Sequence, residues 1–208
     1  MARYTGSVCR LCRREGTKLF LKGEKCFSQK CALTKRPTPP GQHGQARQRK
    51  MSESGTQLRE KQKARRAYGL LEGQFYKTYL EATSMKGITG DNLLSLLERR
   101  IDNVVYRAGF AASRPQARQL VLHGHFAVNG KKVDVPSYTM DETDVLTGRE
   151  GSTDVAIFQA ARAGSSRIGP TWLTVNADQL TATVNALPSR EDIDFTLQEN
   201  MIVEYYSR

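Results

Sequence analysis

Four cysteines near the amino terminus carry the most specific chemical signal in the sequence. Cys9 and Cys12 are separated by two residues, thirteen residues follow, and Cys26 and Cys31 are separated by four. Two such pairs can arrange four thiolates tetrahedrally around one metal ion, about 2.3 Å from each sulfur. The spacing is close to that of common zinc modules, and all four positions around the ion would come from protein. It therefore predicts one structural zinc ion.

Other states of the four cysteines stay open. An iron–sulfur cluster is a minor alternative, because four thiolates suit it but the ferredoxin spacings are absent. Unmetallated thiols are another, and disulfides are disfavoured in a reducing compartment. Basic residues flank the cysteines and would lower the pKa of the thiols. These neighbours are Arg10, Arg13, Arg14, Lys25 and Lys30.

The basic residues are concentrated at the same end of the chain. The 208 residues carry a formal charge of +11. Residues 1–66 contain 18 Lys and Arg against 4 Asp and Glu, whereas the remaining 142 residues contain 14 against 17. A basic segment on a near-neutral body indicates a polyanionic partner, either nucleic acid or an anionic membrane surface. Nucleic acid is favoured because the segment is rich in Cys, Gly and Pro and is not a clean amphipathic helix.

Hydrophobic patterning predicts no membrane partner. The longest apolar run is the four residues Val155–Phe158, whereas a spanning helix needs about 20. The start of the chain lacks the apolar stretch of a signal peptide, so we expect a cytoplasmic protein.

The segment that follows the cysteines is predicted to be an extended arm. Three prolines and two glycines between Pro37 and Arg47 preclude a regular helix or central strand in that part of residues 34–50. Five basic residues in the segment favour an arm lying along phosphates over a flexible linker.

Helical periodicity and turn residues define the elements after the arm. An apolar stripe at steps of three and four predicts a helix over Thr56–Ala82. A second helix is predicted from an Asp91 cap to Ala108, ended by Gly109. A third is predicted to start at Ser113 and stop at Gly124, with Pro115 in its first turn.

The remainder of the chain is predicted to form a hairpin followed by short elements. Asn129-Gly130 between two β-rich runs predicts a hairpin. Ser189 with Asp192 predicts a helix through about Gln198, and the terminal residues 203–208 are expected as a short strand or a docked tail. The weaker strand candidates are Val145-Leu146, Val155–Phe158, Trp172–Val175 and Thr181–Val184.

This order of motifs resembles the S-four family of bacterial small-subunit ribosomal proteins. The resemblance covers essentially the whole chain. Beyond the four cysteines, it is carried by Pro39–Gly44, Gln57–Lys63, Leu96–Arg107, Ala117–His125, Val128–Lys132, Pro136–Tyr138 and Val203–Arg208.

The resemblance implies an α+β fold in three parts. A four-cysteine zinc module and basic arm would occupy residues 1–45. A helical domain would span 46–96 and be completed by the C-terminal segment 186–208. An RNA-binding domain of the S-four type would span 97–185, with a helix–helix–hairpin core at about 97–150 and a small mixed or antiparallel sheet.

The resemblance also implies a function without catalysis or a small-molecule substrate. Such a protein is a structural constituent of the small subunit that binds a multi-helix junction in the 5′ domain of its ribosomal RNA early in assembly. Its implied neighbours are proteins S-five and S-three and the mRNA near the entrance channel, and the contact with S-five bears on translational accuracy.

Two rival functions are an enzyme and a zinc-dependent DNA-binding regulator. Asp141, Glu142 and Asp144 are the nearest approach to a catalytic carboxylate pair, but acids in a turn-like run are more often solvated. A DNA-binding zinc finger would need its paired histidines and recognition helix, which the pattern lacks.

The residues predicted to contact RNA are basic or amide side chains in each part of the chain. We expect recognition of backbone shape and 2′-hydroxyls more than of sequence, because duplex RNA hides its base edges. In the module and arm these residues are Arg3, Arg10, Arg13, Arg14, Lys35, Arg36, His43, Arg47, Arg49 and Lys50. In the first long helix they are Arg59, Lys61, Lys63, Arg65 and Arg66. In the later domain they are Arg99, Arg100, Asn103, Arg107, Ser113, Arg114, Gln116, Arg118, Gln119, His123, His125, Asn129, Lys131 and Lys132.

Overall fold

The protein is represented by a computed structural model that describes residues 3–46, 50–152, 156–162 and 169–207. The chain divides into two compact units. Unit 1 comprises Met1–Leu93 with Phe195–Arg208, and unit 2 comprises Leu94–Asp194. The mixed α+β class predicted from the sequence is confirmed, whereas the three-part division with limits at residues 45, 96 and 185 stays a prediction.

The described residues form nine α-helices and five β-strands. The helices are α1 (Cys9–Glu15), α2 (Ala32–Lys35), α3 (Glu53–Ala67), α4 (Glu72–Ser84), α5 (Thr89–Glu98), α6 (Ile101–Arg107), α7 (Arg114–Leu122), α8 (Ala156–Arg162) and α9 (Glu199–Tyr206). The strands are β1 (Phe126–Val128), β2 (Lys131–Val133), β3 (Val145–Gly148), β4 (Leu173–Asn176) and β5 (Thr181–Val184). Within the described part of the chain, no helix is long and apolar enough to cross a membrane.

The prediction of a single helix over residues 56–82 is wrong, because the chain forms α3 and α4 with a break between them. Gly69 adopts a left-handed φ of +68°. The N–H of Gly69 bonds to the carbonyl of Arg66 and that of Leu70 to the carbonyl of Arg65. This pair of bonds is a Schellman motif, which terminates helices and favours glycine at that position.

The second predicted helix is also divided. α5 starts at Thr89, so Asp91 lies in its first turn and does not cap it. Arg100 is extended, with φ −62° and ψ 134°, and bridges to Thr139. Backbone hydrogen bonds to the segment 138–140 interrupt the helix there. α6 follows this interruption, and Gly109, with a φ of +81°, ends it as predicted.

The third helix and the hairpin are confirmed. α7 begins after Ser113 with Pro115 in its first turn and ends before Gly124, whose φ is +72°. β1 and β2 pair antiparallel across Asn129 and Gly130, both at positive φ (49° and 78°). Two consecutive left-handed residues are what a two-residue hairpin turn of type I′ requires.

Unit 2 is built on one antiparallel sheet with the strand order β2-β1-β3-β5-β4. Three of the weaker strand candidates therefore correspond to β3, β4 and β5. Leu146 pairs with Val128 on one side and with Ala182 on the other, so β3 is central. Phe110, Phe126 and Phe158 are among the side chains fully buried against this sheet.

Two expectations for the C-terminal third are wrong. The strand expected at Val155–Phe158 is instead the start of helix α8 (Val155 itself lies outside the described residues), and Phe158 packs edge-on against Phe126 at 5.6 Å between ring centroids. The helix expected from Ser189 to Gln198 does not form. Ser189 donates to Asp192 from both its backbone N–H and its hydroxyl, which closes a turn.

The end of the chain is a helix docked on α3. α9 contributes Glu204, whose carboxylate accepts from Gln57 of α3 at 2.9 Å. Tyr206 lies between Tyr76 and Tyr79 of α4, at ring-centroid distances of 5.2 and 4.6 Å. The prediction of a terminal strand is therefore wrong, and the prediction of a docked tail is confirmed. Arg208 lies outside the described residues.

Candidate nucleic-acid interface

The four cysteines lie in one small module of unit 1. Cys9 and Cys12 are on α1, Cys26 ends a 3-10 turn at Gly23–Cys26, and Cys31 precedes α2. Cys12, Cys26 and Cys31 are buried, and none of the four cysteines forms a disulfide bond. The N–H of Lys22 donates to the sulfur of Cys26 at 3.3 Å.

The thiols influence each other electrostatically. The expectation that flanking cations lower the pKa of the thiols is wrong for Cys12 and Cys26, because burial raises the pKa of both and negative charge on the other cysteines raises it further. At Cys31, burial acts against N–H donation from Thr34 and Leu33, and the net pKa is lowered. No group of three or more Cys, His, Asp or Glu in the described residues is arranged to hold a metal ion, so zinc stays a prediction.

The arm contacts the cysteine module. The described residues 36–46 contain no helix or strand, as predicted. The guanidinium of Arg13 donates to the carbonyls of Thr38 (2.9 Å) and Pro39 (3.4 Å). A side chain at Gly44 would approach the Pro39 carbonyl to 2.0 Å, which explains glycine in this turn.

Most cations predicted for the module and arm are exposed. Arg13 is half-buried because it bonds to the arm, and Arg47 and Arg49 lie outside the described residues. The exposed members of the predicted set are Arg3, Arg10, Arg14, Lys35, Arg36, His43 and Lys50.

Glu15 neutralises two of the α3 arginines that were predicted to contact RNA. Its carboxylate, only 1% exposed, pairs with Arg59 at 3.3 Å and with Arg66. Burial raises the pKa of Glu15 against the attraction of the arginines, and burial lowers the pKa of Arg59. Lys63, also predicted to contact RNA, pairs with Glu60 at 3.4 Å.

The opposite side of α3 also uses its cations internally. Lys61 is buried, pairs with Glu72, and lies 4.5 Å from the ring centre of Tyr205. Arg65 donates to Gln62 at 2.9 Å and lies 3.6 Å from the same Glu72 carboxylate. Although burial alone would raise it, these donors together with Tyr206 hold the pKa of Glu72 below its ordinary value.

A buried carboxylate organises the helices of unit 2. Glu98, at the end of α5, is 1% exposed. It accepts from Asn103 at 2.7 Å and from Arg107 at 2.8 and 2.9 Å. Arg114 reaches Asn103 Oδ1 at 2.7 Å and stacks over Tyr106. Three predicted RNA contacts therefore hold α5, α6 and α7 together.

Asp102 is a second such centre. Arg118 donates to it at 2.8 Å, and Arg100 lies 3.4 Å away. Arg99 donates to the Met140 carbonyl at 2.8 Å and pairs with Asp141. These three arginines are buried.

The exposed part of the predicted set in unit 2 lies on α7 and the hairpin. Ser113 is buried before α7, and Gln116 accepts from the N–H of Ala112 at 2.7 Å. The exposed members are Gln119, His123, Asn129, Lys131 and Lys132.

Four cationic or titratable side chains surround Gly124, and we call them the Gly124 cluster: His123, His125, Lys132 and Arg149. Arg149 donates to the Gly124 carbonyl at 3.2 Å, and a Cβ at Gly124 would lie 2.5 Å from Lys132 Cε. The rings of His123 and His125 are 6.0 Å apart. Burial lowers the pKa of His125, as do His123 and Arg149.

Sequence reasoning missed Arg149. It follows β3, far along the chain from Gly124, in a stretch without basic patterning. Only the β1–β3 pairing, extended by the bond from the Arg149 N–H to the His125 carbonyl at 3.0 Å, brings it to the cluster.

These features define a class: a nucleic-acid-binding protein with a helix–helix–hairpin domain. A family model described as the ribosomal protein S4/S9 N-terminal domain matches residues 3–98, and one described as the S4 domain matches residues 99–146. Over the full length of both chains, 58% of residues are identical to the small ribosomal subunit protein uS4A of Alkaliphilus oremlandii and 58% to that of Symbiobacterium thermophilum. The identity to uS4 of Heliobacterium modesticaldum is 57% over 209 aligned residues.

The chain belongs to the uS4 family of small ribosomal subunit proteins. Members of this family bind ribosomal RNA and are not enzymes, so the resemblance seen in the sequence is confirmed at this level. Its predicted place in the small subunit is confirmed as well.

Proposed function

We propose that this protein binds a multi-helix junction in the 5′ domain of the small-subunit ribosomal RNA and nucleates assembly there. The observation that carries the proposal is the division of its cations into two sets. Most of the described cations of the module, arm and hairpin are exposed, whereas those on α3 and at the centre of unit 2 bond to protein groups. The first set can meet phosphates, and the second gives the helices a fixed shape.

A fixed shape matters because folded RNA is recognised mainly through its backbone and 2′-hydroxyls. In unit 2, ion pairs at Glu98 and Asp102 hold α6 and α7 in place beside the hairpin. The exposed amide of Gln119 and the two lysines of β2 then have defined positions. A rigid surface of this kind favours one RNA fold over others with the same charge.

Salt dependence of binding tests the proposal. If about 6–10 phosphates are neutralised, affinity for a 5′-domain transcript falls by about 10³–10⁵ between about 50 and 200 mM salt. The variant Arg10→Gln/Arg14→Gln should bind more weakly with a shallower salt slope. Lys77→Gln/Lys86→Gln removes the same charge from exposed positions outside the predicted set and is the control. An affinity that stays constant across this salt range contradicts the proposal.

We also propose that Cys9, Cys12, Cys26 and Cys31 hold one structural zinc ion, with an iron–sulfur cluster as the minor alternative. The thiols share one module, three are buried, and an N–H···S bond to Cys26 suits a thiolate ligand. The ion would fix the module that carries the most basic part of the chain.

Contacts with neighbouring components complete the proposal. We infer contacts with proteins S-five and S-three, through which the protein contributes to translational accuracy, and a position near the mRNA entrance. Residues 151–208 support protein neighbours, since they carry 7 Asp and Glu against 4 Lys and Arg. Cross-linking of assembled small subunits followed by mass spectrometry tests these contacts, and cross-links from this segment to RNA alone would contradict them.

A further inference from the structure

Two phenylalanines, the half-buried Phe20 and the exposed Phe27, form an aromatic pair on the cysteine module. The rings of Phe20 and Phe27 are stacked, with centroids 4.9 Å apart and planes inclined by 26°. Phe27 is 62% exposed, although it is one of the larger apolar side chains of the protein. One face of this ring contacts Phe20, and most of the side chain's remaining surface is exposed.

The backbone around the pair is held in an unusual but fixed form. Phe20 has a φ of +51°, a left-handed conformation that costs a non-glycine residue roughly 1 kcal/mol or more. The N–H groups of Phe27 and Ser28 both bond to the Glu24 carbonyl, at 3.0 and 3.2 Å. The Ser28 hydroxyl donates to the Lys25 carbonyl at 3.1 Å. The exposed ring therefore stands on a turn that is closed by its own hydrogen bonds.

The surroundings of the pair are strongly cationic. Between Gly16 and Arg36 the chain carries six Lys and Arg against the single acid Glu24. Lys22, Lys25 and Lys30, the nearest of these in sequence to Phe27, are all exposed. A flat apolar face among lysines is complementary to a nucleotide, whose base is planar and whose phosphates are anionic.

We propose that the Phe20–Phe27 pair is a stacking platform for an unpaired base of the ribosomal RNA, with the neighbouring lysines meeting the flanking phosphates. The proposal deepens the RNA-binding function proposed above and rests on it. An unpaired nucleotide is the occupant because a base inside a duplex has both faces covered by its neighbours. The basic residues outside this platform need no unpaired base, so it adds a distinct kind of contact.

Replacement of Phe27 in the full-length protein tests the platform. Phe27→Leu keeps an apolar side chain but removes the flat face, and we expect a loss of affinity for the 5′-domain transcript of about 5- to 100-fold. Tyr76→Leu is the matched control, because Tyr76 is also an exposed aromatic of unit 1, at 44%, on α4 away from the cysteine module. This control should bind as the unsubstituted protein does.

Phe27→Trp supplies a direct readout of stacking. This variant should keep its affinity for the transcript. The emission of the added indole is obtained by subtracting the emission of Trp172, the single native tryptophan. We expect the transcript to quench that added emission. Unchanged emission on RNA binding, or a Phe27→Leu variant with full affinity, overturns the platform. In either case a salt-dependent affinity of the unsubstituted protein leaves the proposed function standing. Quenching by a peptide rich in Glu and Phe, with none by RNA, would assign the pair to a protein partner instead.

Discussion

The guanidinium of Arg118 donates to the carboxylate of Asp102 at 2.8 Å, and the two side chains are only 6% and 7% exposed. The pair joins α7 to α6 inside unit 2. Arg118 was predicted to contact RNA, yet its charge is satisfied within the protein. We therefore expect Arg118 to act through the position of the helices.

Removal of one partner of this pair should be costly. Arg118→Met leaves the Asp102 carboxylate with Arg100 at 3.4 Å as its remaining ion pair, and we expect the free energy of unfolding to fall by about 3 kcal/mol. Urea denaturation measures this loss. Lys132→Met, at an exposed position of the hairpin, should change it by less than about 0.5 kcal/mol. Equal losses in the two variants would show that the buried pair contributes no more than a surface charge.

Two glycines four residues apart should respond in opposite directions to alanine. Gly69→Ala forces a side chain into a φ of +68° and should destabilise the protein by about 1 kcal/mol. Gly73 lies within α4, where an added Cβ meets nothing within 4 Å, so Gly73→Ala should stabilise by about 0.5–1 kcal/mol. Thermal or urea denaturation measures both changes. The same sign for both variants would contradict the helix break.

These glycines show where sequence patterning stops being informative. Both lie in a stretch whose apolar stripe runs through the break, so periodicity alone predicts one helix. The interruption at Arg100 has a different cause, because it depends on pairing with residues 138–140, about forty positions away. Elements fixed by local chemistry, such as α7 and the Asn129-Gly130 hairpin, were predicted correctly.

The Glu15 carboxylate should affect stability and RNA binding in opposite directions. Glu15→Gln leaves Arg59 and Arg66 without their shared acceptor charge, so unfolding should become easier by about 1–3 kcal/mol. The same change makes this part of the protein more positive, so the affinity of the protein for the transcript should rise at low salt. Titration calorimetry and urea denaturation measure the two effects. Glu81→Gln, on the exposed side of α4, is the charge-matched control. A folded Glu15→Gln protein with weakened RNA binding would be inconsistent with this arrangement.

His125 should make unit 2 less stable in acid. Its pKa in the folded protein is lowered from 6.5, by burial and by His123 and Arg149. The unfolded chain therefore takes up the proton first as the pH falls below 6.5, and the free energy of unfolding decreases there, while above that value the contribution is fully present. Urea denaturation at about pH 7.5 and about pH 5.5 measures the decrease. His125→Gln should reduce it, and an identical pH dependence in the variant would exclude His125 as its source.

Metal content should follow the cysteines. We expect elemental analysis of the purified protein to find one zinc per chain, because four thiolates complete a tetrahedral site. Cys9→Ser should lower the metal content and unfold the module, whereas Ser28→Ala, an exposed change in the same module, should do neither. Retention of both metal and N-terminal folding in the Cys9→Ser protein would contradict the zinc site, and iron in place of zinc would indicate the cluster.

The sequence predicts the kind of partner that the candidate interface binds, but it does not predict which basic residues are exposed there. Charge distribution alone indicates a polyanionic partner and places it at the amino-terminal end. It does not distinguish an exposed arginine such as Arg10 from a buried one such as Arg118, because both contribute the same charge to the distribution. That distinction depends on Glu15, Glu98 and Asp102, acids whose burial no local pattern reveals.

The strand β2 stands at the edge of the unit 2 sheet, and two of its three residues are exposed lysines, Lys131 and Lys132. An edge strand offers unpaired backbone groups to which another chain can add. Lysines at that edge repel a second copy of the same strand. We therefore expect these two side chains to disfavour edge-to-edge pairing between two copies of the protein.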